Sequence, residues 1–188
     1  MRDIATITEA LATFFRYTIS NMDNLVSLEE ELGNAENYFA IQNYRFAERI
    51  SMQRSIEPGC EAAMDIMIPK LTLQPIIENA IIHGLEGQVG PGKVSVDIAT
   101  DGGRLLIDVS DDGLGMREDA LDELRRRLLS YDATTERDDK HRGGIALANV
   151  SNRIKLLFGE QYGIRVSSIE GTGTTVEIQL PVKRRADV

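Results

Sequence analysis

A carboxylate and a hydroxyl stand at the ends of two apolar strand patterns. The stretch from Leu105 alternates apolar and polar residues, and Asp111 continues its apolar, inward face. The stretch that ends at Leu180 alternates in the same way and places Thr174 inward. A buried carboxylate is costly unless donors surround it, so Asp111 predicts a partner that donates hydrogen bonds. A turn aspartate satisfied by nearby backbone amides is the alternative.

The motif that starts at this aspartate has the composition of a ligand-binding turn. Residues 111–116 read DDGLGM and end at Met116. Glycine has no side chain, so Gly113 and Gly115 would let the backbone come close to a bound molecule. Because D-x-G-x-G occurs in many ordinary turns, the motif becomes specific only in the company of others.

Two polar residues share one stripe of a helical pattern upstream. Asn79 and His83 are four residues apart beside Ile76, whereas the opposite stripe is apolar. Asparagine disfavours a helix interior slightly, which indicates another use for Asn79. Its side-chain oxygen suits Mg²⁺, which takes few protein ligands and keeps water and phosphate ligands. For His83 taken alone, a helix-end histidine that bonds a carbonyl is the better explanation.

A glycine pair precedes the last amphipathic pattern. Gly143 and Gly144 stand before the apolar series that starts at Leu147. A glycine turn that leads into a helix N-terminus presents free N–H groups to an anion such as phosphate. A flexible hinge accounts for the same two residues equally well.

The rest of the chain predicts the elements that must position these residues. Ser27 precedes LEEEL, and Glu30 three residues on completes a capping box that starts a helix. The patterns predict helices over 7–20, 27–46, 72–84, 118–130 and 147–158, and strands over 51–57, 63–68, 94–98, 105–109, 164–169 and 174–180. The charged stretch 134–144 has no apolar pattern and is predicted to be a mobile loop. This order predicts an α+β fold: a two-layer α/β sandwich with a mixed sheet, preceded by a short two-helix segment.

Charge and composition disfavour some classes of function. The 188 residues include 21 basic and 30 acidic side chains, for a formal net charge of −9. Such a charge disfavours a nucleic-acid binder that works by neutralising phosphates, although backbone N–H groups can bind a phosphate on an acidic protein. The lone Cys60 cannot form an intrachain disulfide, which favours a reducing compartment. With no signal peptide and no apolar run long enough to span a bilayer, a cytoplasmic chain is expected.

In this order the motifs resemble the Bergerat-type (GHKL) ATP-binding fold shared by gyrase, Hsp90, histidine kinases and MutL. Within it, the chain is similar to the LytS-like sensor histidine kinases. LTLQPIIENAIIHG (71–84) resembles the N box, DDGLGM (111–116) the G1 box, GGIALANVSNRI (143–154) the G2 box and GTGTTVEIQLP (171–181) the final glycine-threonine strand. Residues 14–20 and 27–46 resemble the segment that joins that family's phosphoacceptor helix to its catalytic domain. Four ordered boxes over nearly the whole chain are far more specific than any one of them.

The resemblance implies a role for each matching residue. Asn79 would coordinate Mg²⁺, with His83 beside it. Asp111 would accept the adenine amino group, with Thr174 holding a water beside it. The rest of the ATP site would comprise Gly113, Gly115, Met116, Lys140, Arg142, Gly143, Gly144 and Leu147. The glycine pair would be the hinge of a lid over 131–142, whose Lys140 and Arg142 are candidate phosphate contacts; for these two a solvated charged surface is the alternative.

Four departures from the family pattern bear on function. The phosphoacceptor histidine is expected upstream of residue 1, since neither His83 nor His141 replaces it. Ile82 occupies a position where related kinases carry a phosphate-contacting lysine, and Ala146 that of a second glycine in the G2 box. Pro75 stands where gyrase-type ATPases place a water-activating glutamate, so hydrolysis is expected to be slow.

The resemblance divides the chain into a joining helical segment (1–50) and an ATP-binding catalytic domain (51–188). It implies a two-component histidine kinase that passes the γ-phosphoryl group of ATP to a histidine on a helix of the same dimer, for relay to a response regulator. Two alternatives stay open. An anti-sigma-type serine kinase would lack the helical approach over 7–48, and a degenerate partner-binding module with weak ATP binding is favoured by Ile82 and Ala146. Neither nucleic acid nor direct membrane contact is expected, and a parent protein would be anchored in the inner membrane by upstream segments.

Overall fold

The computed structural model describes residues 4–19, 25–130 and 142–185, with side chains for 8–19, 25–129 and 144–185. The helices are α1 (Ile4–Ile19), α2 (Leu28–Arg45), α3 (Leu73–Asn79), α4 (Glu118–Ser130) and α5 (Arg142–Phe158). A 3₁₀ helix spans Glu61–Asp65, and a π-helical turn at Ala80–Leu85 continues α3. The strands are β1 (Leu25–Ser27), β2 (Ile50–Ile56), β3 (Met67–Pro69), β4 (Gly92–Asp101), β5 (Arg104–Asp111), β6 (Gly163–Ile169) and β7 (Gly173–Pro181).

Five of the strands form a mixed sheet in the order β2-β4-β5-β7-β6. β2 is parallel to β4, and the other neighbours are antiparallel. β4 and β5, which contain the predicted strands 94–98 and 105–109, form a hairpin in which Gly102 and Gly103 take φ values of 55° and 81° that glycine adopts without strain. The register of β5 and β7 sets Asp111 opposite Thr174. The two residues that strand parity placed inward are therefore neighbours at one end of the sheet.

The helices cover one face of this sheet and leave the other open. Leu105, Ile107 and Val109 of β5 are at most 2% exposed beneath the helices. On the opposite face, Asp97 of β4 and Glu177 of β7 are exposed. The alternation follows from the period of two along a strand. The predicted α+β two-layer sandwich is confirmed.

The described residues before β2 lie mainly in two helices, α1 and α2, as predicted, with the short strand β1 directly before α2. The Ser27 hydroxyl accepts the N–H of Glu30, and the Glu30 carboxylate accepts the N–H of Ser27, both at 3.2 Å. This is the predicted capping box at the start of α2. α1 packs on α2 where the rings of Phe14 and Tyr38 lie 5.9 Å apart. Among the helices of the described ranges, none is long and apolar enough to cross a membrane.

The segment 63–68 was predicted to be a strand, and this is wrong for most of its length. It forms the end of the 3₁₀ helix and then β3, which pairs with β1 rather than with the main sheet. Ile66, Met67 and Ile68 are all buried, so the run has no alternation of buried and exposed positions. Periodicity cannot assign such a short apolar run.

The last helix begins earlier than its apolar pattern indicates. The prediction starts it at Leu147, the first of its fully buried residues, whereas α5 already begins at Arg142. Gly143 and Gly144 therefore lie within its first turn and not in a turn before it. Ile145 is 42% exposed, so the apolar stripe does not extend into this first turn.

Candidate functional site

A cavity of about 750 Å³ opens on the helical side of the sheet, at the end where Asp111 of β5 lies opposite Thr174 of β7. α3 and its π-helical turn form one wall, α4 forms another, and α5 borders the cavity at Gly144. Small-molecule sites commonly enclose about 300–1,000 Å³. The cavity is therefore large enough for a cofactor-sized ligand.

Asp111 reaches this cavity from the inward face of β5, as parity predicts. Its Oδ1 accepts the N–H of Gly113 at 2.9 Å, and the backbone of Thr174 also hydrogen-bonds the carboxylate. Burial raises the pKa of Asp111 to about 6, in spite of these hydrogen bonds, which lower it. The carboxylate abuts Gly84, where an added Cβ would come within 2.5 Å of Oδ1. Asp111 is thus a half-buried acceptor that faces both the protein and the cavity.

The glycines after Asp111 are required by the protein's own packing. A Cβ on Gly113 would lie 2.1 Å from the carbonyl oxygen of Gly84, which also accepts the N–H of Leu114 at 3.0 Å. Gly115 has a φ of +61°, and a Cβ there would lie 2.0 Å from the carbonyl oxygen of Ile169. The loop is therefore wedged between the π-helical turn and the end of β6, and only Gly115 of the two also lines the cavity.

Ser168 supports the site and was missed by the sequence analysis. Its hydroxyl accepts the N–H of Met116 at 2.8 Å and donates to the carbonyl of Gly173 at 2.9 Å. Because that proton is committed, the Thr174 hydroxyl is the donor in its own 2.9 Å contact with Ser168. Thr174 Oγ1 is left to offer the cavity an acceptor. Strand parity applied to β6 would have found Ser168 on the inward face.

Asn79 and His83 both line the cavity, as their shared helical stripe predicts. Asn79 is the last residue of α3, and His83 lies in the π-helical turn that follows. Such turns are frequent at functional sites because they redirect side chains relative to a regular α-helix. The sequence pattern predicted a continuous α-helix over 72–84, and no residue in it indicated the π-helical turn.

Arg49 fixes the far end of this wall. Its guanidinium donates to the carbonyls of Leu85 at 3.1 Å, Gln88 at 2.9 Å and Gly90 at 2.8 Å. A cation at the C-terminal end of a helix satisfies free carbonyls and complements the helix dipole. The π-helical turn is thereby anchored to the segment that precedes β2.

The wall formed by α4 is charged and was also missed. Arg117 pairs with Asp119 at 2.9 Å, and Arg127 pairs with Glu123 at 2.9 Å. All four side chains line the cavity. Mixed charges along a helix usually indicate a solvated surface. Only the tertiary fold brings this surface to the cavity, so a local pattern could not reveal it.

The structure brings most of the predicted site residues together. Those that line the cavity are Asn79, His83, Asp111, Gly115, Met116, Gly144 and Thr174. Gly113 packs against Gly84 instead, and Leu147 is fully buried in the core. Lys140 and all of the predicted lid over 131–142 except its last residue lie outside the described residues, and Arg142 and Gly143 are described only as backbone of α5.

Two family models match the chain. The model described as "Histidine kinase-, DNA gyrase B-, and HSP90-like ATPase" matches residues 64–184, which is more than half of the chain. This chain belongs to that ATPase family. The model described as "Histidine kinase" matches residues 1–50. Membership of the ATPase family implies nucleotide use.

Sensor histidine kinases are among the curated relatives of this ATPase-family chain. It is 32% identical to the sensor histidine kinase YesM of Bacillus subtilis over 182 residues, which are 97% of this chain and 28% of YesM. It is 29% identical to the sensor protein LytS of Streptococcus agalactiae over 178 residues, which are 94% of this chain and 28% of LytS. The chain thus spans less than a third of the length of these relatives.

Solved histidine kinase structures share the fold. The catalytic domain of histidine kinase ThkA superposes with a TM-score of 0.58 at 14% identity, covering 87% of this chain and 100% of that domain. The histidine kinase domain of a blue-light activated kinase from Erythrobacter litoralis gives 0.54 at 18% identity, covering 95% and 74%. At these identities the likeness shows the fold alone.

The donors and acceptors around the cavity fit a nucleotide with its metal ion. Asp111 offers a half-buried acceptor, and α5 borders the cavity in its first turn, where helical N–H groups lack intrahelical partners. Asn79 offers one amide oxygen. Within the described ranges there is no group of three or more His, Cys, Asp or Glu that could hold a metal ion. A magnesium ion here would therefore draw most of its ligands from phosphates and water, as Mg²⁺ commonly does.

Proposed function

We propose that this chain binds Mg-ATP in the cavity and forms the ATP-binding catalytic part of a sensor histidine kinase. The observation that carries the proposal is Asp111, an inward carboxylate at the cavity whose pKa is raised by burial. Such a group is stabilised by a ligand that donates a hydrogen bond. The amino group of adenine is a donor of this kind, whereas guanine presents a carbonyl oxygen at the same ring position and would be disfavoured.

The Thr174 hydroxyl supports the same orientation of the base. Its proton is directed to Ser168, so its oxygen can accept from a water. A water held there beside Asp111 can donate its second hydrogen to a ring nitrogen of adenine. Met116 and Val176 add apolar surface on which the base can pack.

The phosphates would extend from this end toward α5 and α3. Asn79 would hold Mg²⁺ through its side-chain oxygen, and the metal, when bound, neutralises charge on the phosphates. The first turn of α5 at Gly143 and Gly144 would offer N–H groups and a favourable dipole to the phosphates. Lys140 and Arg142 are proposed as further phosphate contacts on the strength of the resemblance.

Hydrolysis in this site should be slow. The cavity residues from α3 and its π-helical turn include Ile76, Asn79 and His83, but α3 contributes no carboxylate to the described lining. Pro75 occupies the turn where gyrase-type ATPases carry a base that activates water. A kinase that keeps its γ-phosphoryl group for a protein acceptor benefits from the lack of such a base.

The whole protein would complete a phosphorelay. Residues 51–188 would be the catalytic domain, and residues 1–50 would join it to a helix that carries the phosphoacceptor histidine within the same dimer. A response regulator would then take the phosphoryl group. The match of residues 1–50 to a histidine kinase family model and the sensor kinase relatives support this assignment. In a parent anchored in the inner membrane, this part would face the cytoplasm.

Displacement of a fluorescent ATP analogue tests the proposal. With Mg²⁺ present, the analogue should bind saturably and be released by ADP much more readily than by GDP. No displaceable binding at millimolar nucleotide would refute nucleotide binding and leave a degenerate partner-binding module as the better description. Equal displacement by GDP would refute the role given to Asp111.

A further inference from the structure

Glu31 is a charged residue buried in α2, away from the cavity. Its exposed fraction is 0%, and burial raises its pKa. The two carboxylate oxygens accept the N–H of Leu71 at 3.0 Å and the N–H of Leu73 at 3.1 Å. These amides open α3, and Leu71 takes a φ of 58°, which is uncommon for a residue other than glycine. Glu31 therefore holds a strained turn and caps the helix that carries Asn79.

The same carboxylate is bonded by α1. The Tyr17 hydroxyl donates to Glu31, and burial raises the pKa of Tyr17, so the phenol stays protonated as a donor. The ammonium of Lys70 lies 4.7 Å from the centre of the Tyr17 ring. α1 is thus joined to the first residues of α3 through one buried carboxylate.

α5 meets the other side of this turn. The guanidinium of Arg153 donates to the carbonyl of Leu71 at 2.8 Å. Leu71, which stands just before α3, is therefore tied to α5 as well, and both of these helices border the cavity. Arg49 binds the carbonyls at the opposite end of this wall. Both ends of the wall are therefore held by residues that precede β2, Glu31 at one end and Arg49 at the other.

We infer that Glu31 is a positioning residue for the nucleotide site, and that Tyr17 couples the docking of α1 to nucleotide binding through it. With Tyr17 bonded, the carboxylate is fixed and the turn at Leu71 presents α3 and α5 in their binding geometry. With α1 released, Glu31 loses one partner and the turn loosens. Because coupling between two binding events is reciprocal, nucleotide should in turn hold α1 in place. The inference rests on the proposed function of the cavity.

Tyr17→Phe tests this coupling, because it removes only the hydroxyl and keeps the ring. The matched control is Tyr38→Phe, which removes the hydroxyl of another tyrosine where α1 meets α2. Tyr38 is buried, and its side chain hydrogen-bonds Gln42 of the same helix. Amide hydrogen exchange and ADP titration are measured on the full chain for wild type, both variants and Glu31→Gln. Tyr17→Phe should speed exchange at Leu71 and Leu73 and weaken ADP binding about three- to ten-fold, the range for one net hydrogen bond.

Glu31→Gln should act in the same direction, since an amide leaves one carbonyl oxygen where the carboxylate offers two. ADP should slow exchange along α1 in wild type and in Tyr38→Phe but not in Tyr17→Phe. Equal effects of the two tyrosine variants on ADP affinity would mean a merely structural role and overturn the inference. Unchanged exchange at Leu71 and Leu73 in Tyr17→Phe would overturn it whether or not ADP binds. If wild type fails to bind ADP while Tyr17→Phe still speeds that exchange, the proposed function falls and the positioning of the turn stands.

Discussion

Replacing Asp111 by asparagine should separate recognition from stability. The amide keeps the size of the side chain and one acceptor oxygen, which can still take the N–H of Gly113. It replaces the second oxygen by an NH₂ group, so a donor now faces the amino group of adenine. A hydrogen bond to a charged group contributes about 1.5–3 kcal/mol. ADP should therefore bind roughly 10- to 150-fold more weakly.

Asp111→Asn should leave the free energy of unfolding unchanged or raise it. The folded pKa of Asp111, about 6, lies above the ordinary value of 3.8, so the native state favours the protonated carboxyl. The stability that this group contributes is complete at pH values below the ordinary pKa and is lost as the pH rises through about 6. At pH 7 the folded protein therefore carries an unfavourable ionised group, and asparagine removes it. The midpoint of urea unfolding should stay equal or rise.

Calorimetric titration with ADP and urea unfolding measure these two effects on the same samples. Asp112→Asn is the matched control, because Asp112 is the adjacent residue, is exposed and accepts the N–H of Lys93 at 2.7 Å rather than lining the cavity. The control should bind ADP as wild type does. Unchanged ADP affinity in a folded Asp111→Asn protein, or an equal loss in the control, would show that Asp111 does not recognise the adenine amino group.

Four further outcomes are expected. ADP affinity should fall as the pH is lowered through about 6, because Asp111 gains a proton that blocks its acceptor; a flat titration profile between pH 5 and 8 would contradict this. Mg²⁺ should raise the ADP affinity of wild type but not that of Asn79→Ala. An equal gain in the variant would show that Asn79 is not a ligand of Mg²⁺. Gly33→Ala should stabilise the interior of α2 by about 0.5–1 kcal/mol in urea unfolding, since an added Cβ meets nothing within 4 Å. Asp108→Asn should also stabilise, by about 0.2–1 kcal/mol, because Asp108 lies directly across from two other carboxylates, Asp97 and Glu177; a lower midpoint in thermal unfolding would contradict it.

Local chemistry was enough to predict the elements that carry the site. Alternation along β5 and β7 placed Asp111 and Thr174 inward because the period of two is a property of the strand alone. The capping box at Ser27 predicted the start of α2, and α5 ends at Phe158 as predicted, directly before Gly159 with its φ of +104°. These signals operate over a few residues, so no knowledge of the fold was needed to interpret them.

What could not be predicted depends on contacts between distant parts of the chain. Glu31 lies in the sequence LEEEL, which is typical of an exposed first turn, and only the approach of Leu71 and Leu73 makes it a buried cap. The three-residue strands β1 and β3 are held by each other, 40 residues apart, and neither has a pattern of its own. The charged wall of α4 also depends on such contacts, because Arg127 and Glu123 become part of a cavity only in the folded molecule.

Amide chemical shifts followed during titration with Mg-ADP test the central claim most directly, because they report both binding and its place. Saturable shifts are expected at the residues around Asp111, at Gly84 and Gly115, at Gly144 in the first turn of α5, and at Thr174. The amides around Asp97 on the open face of the sheet should remain unchanged. Absence of saturable shifts at millimolar nucleotide, or shifts confined to the open face, would contradict the claim that this cavity is the nucleotide site.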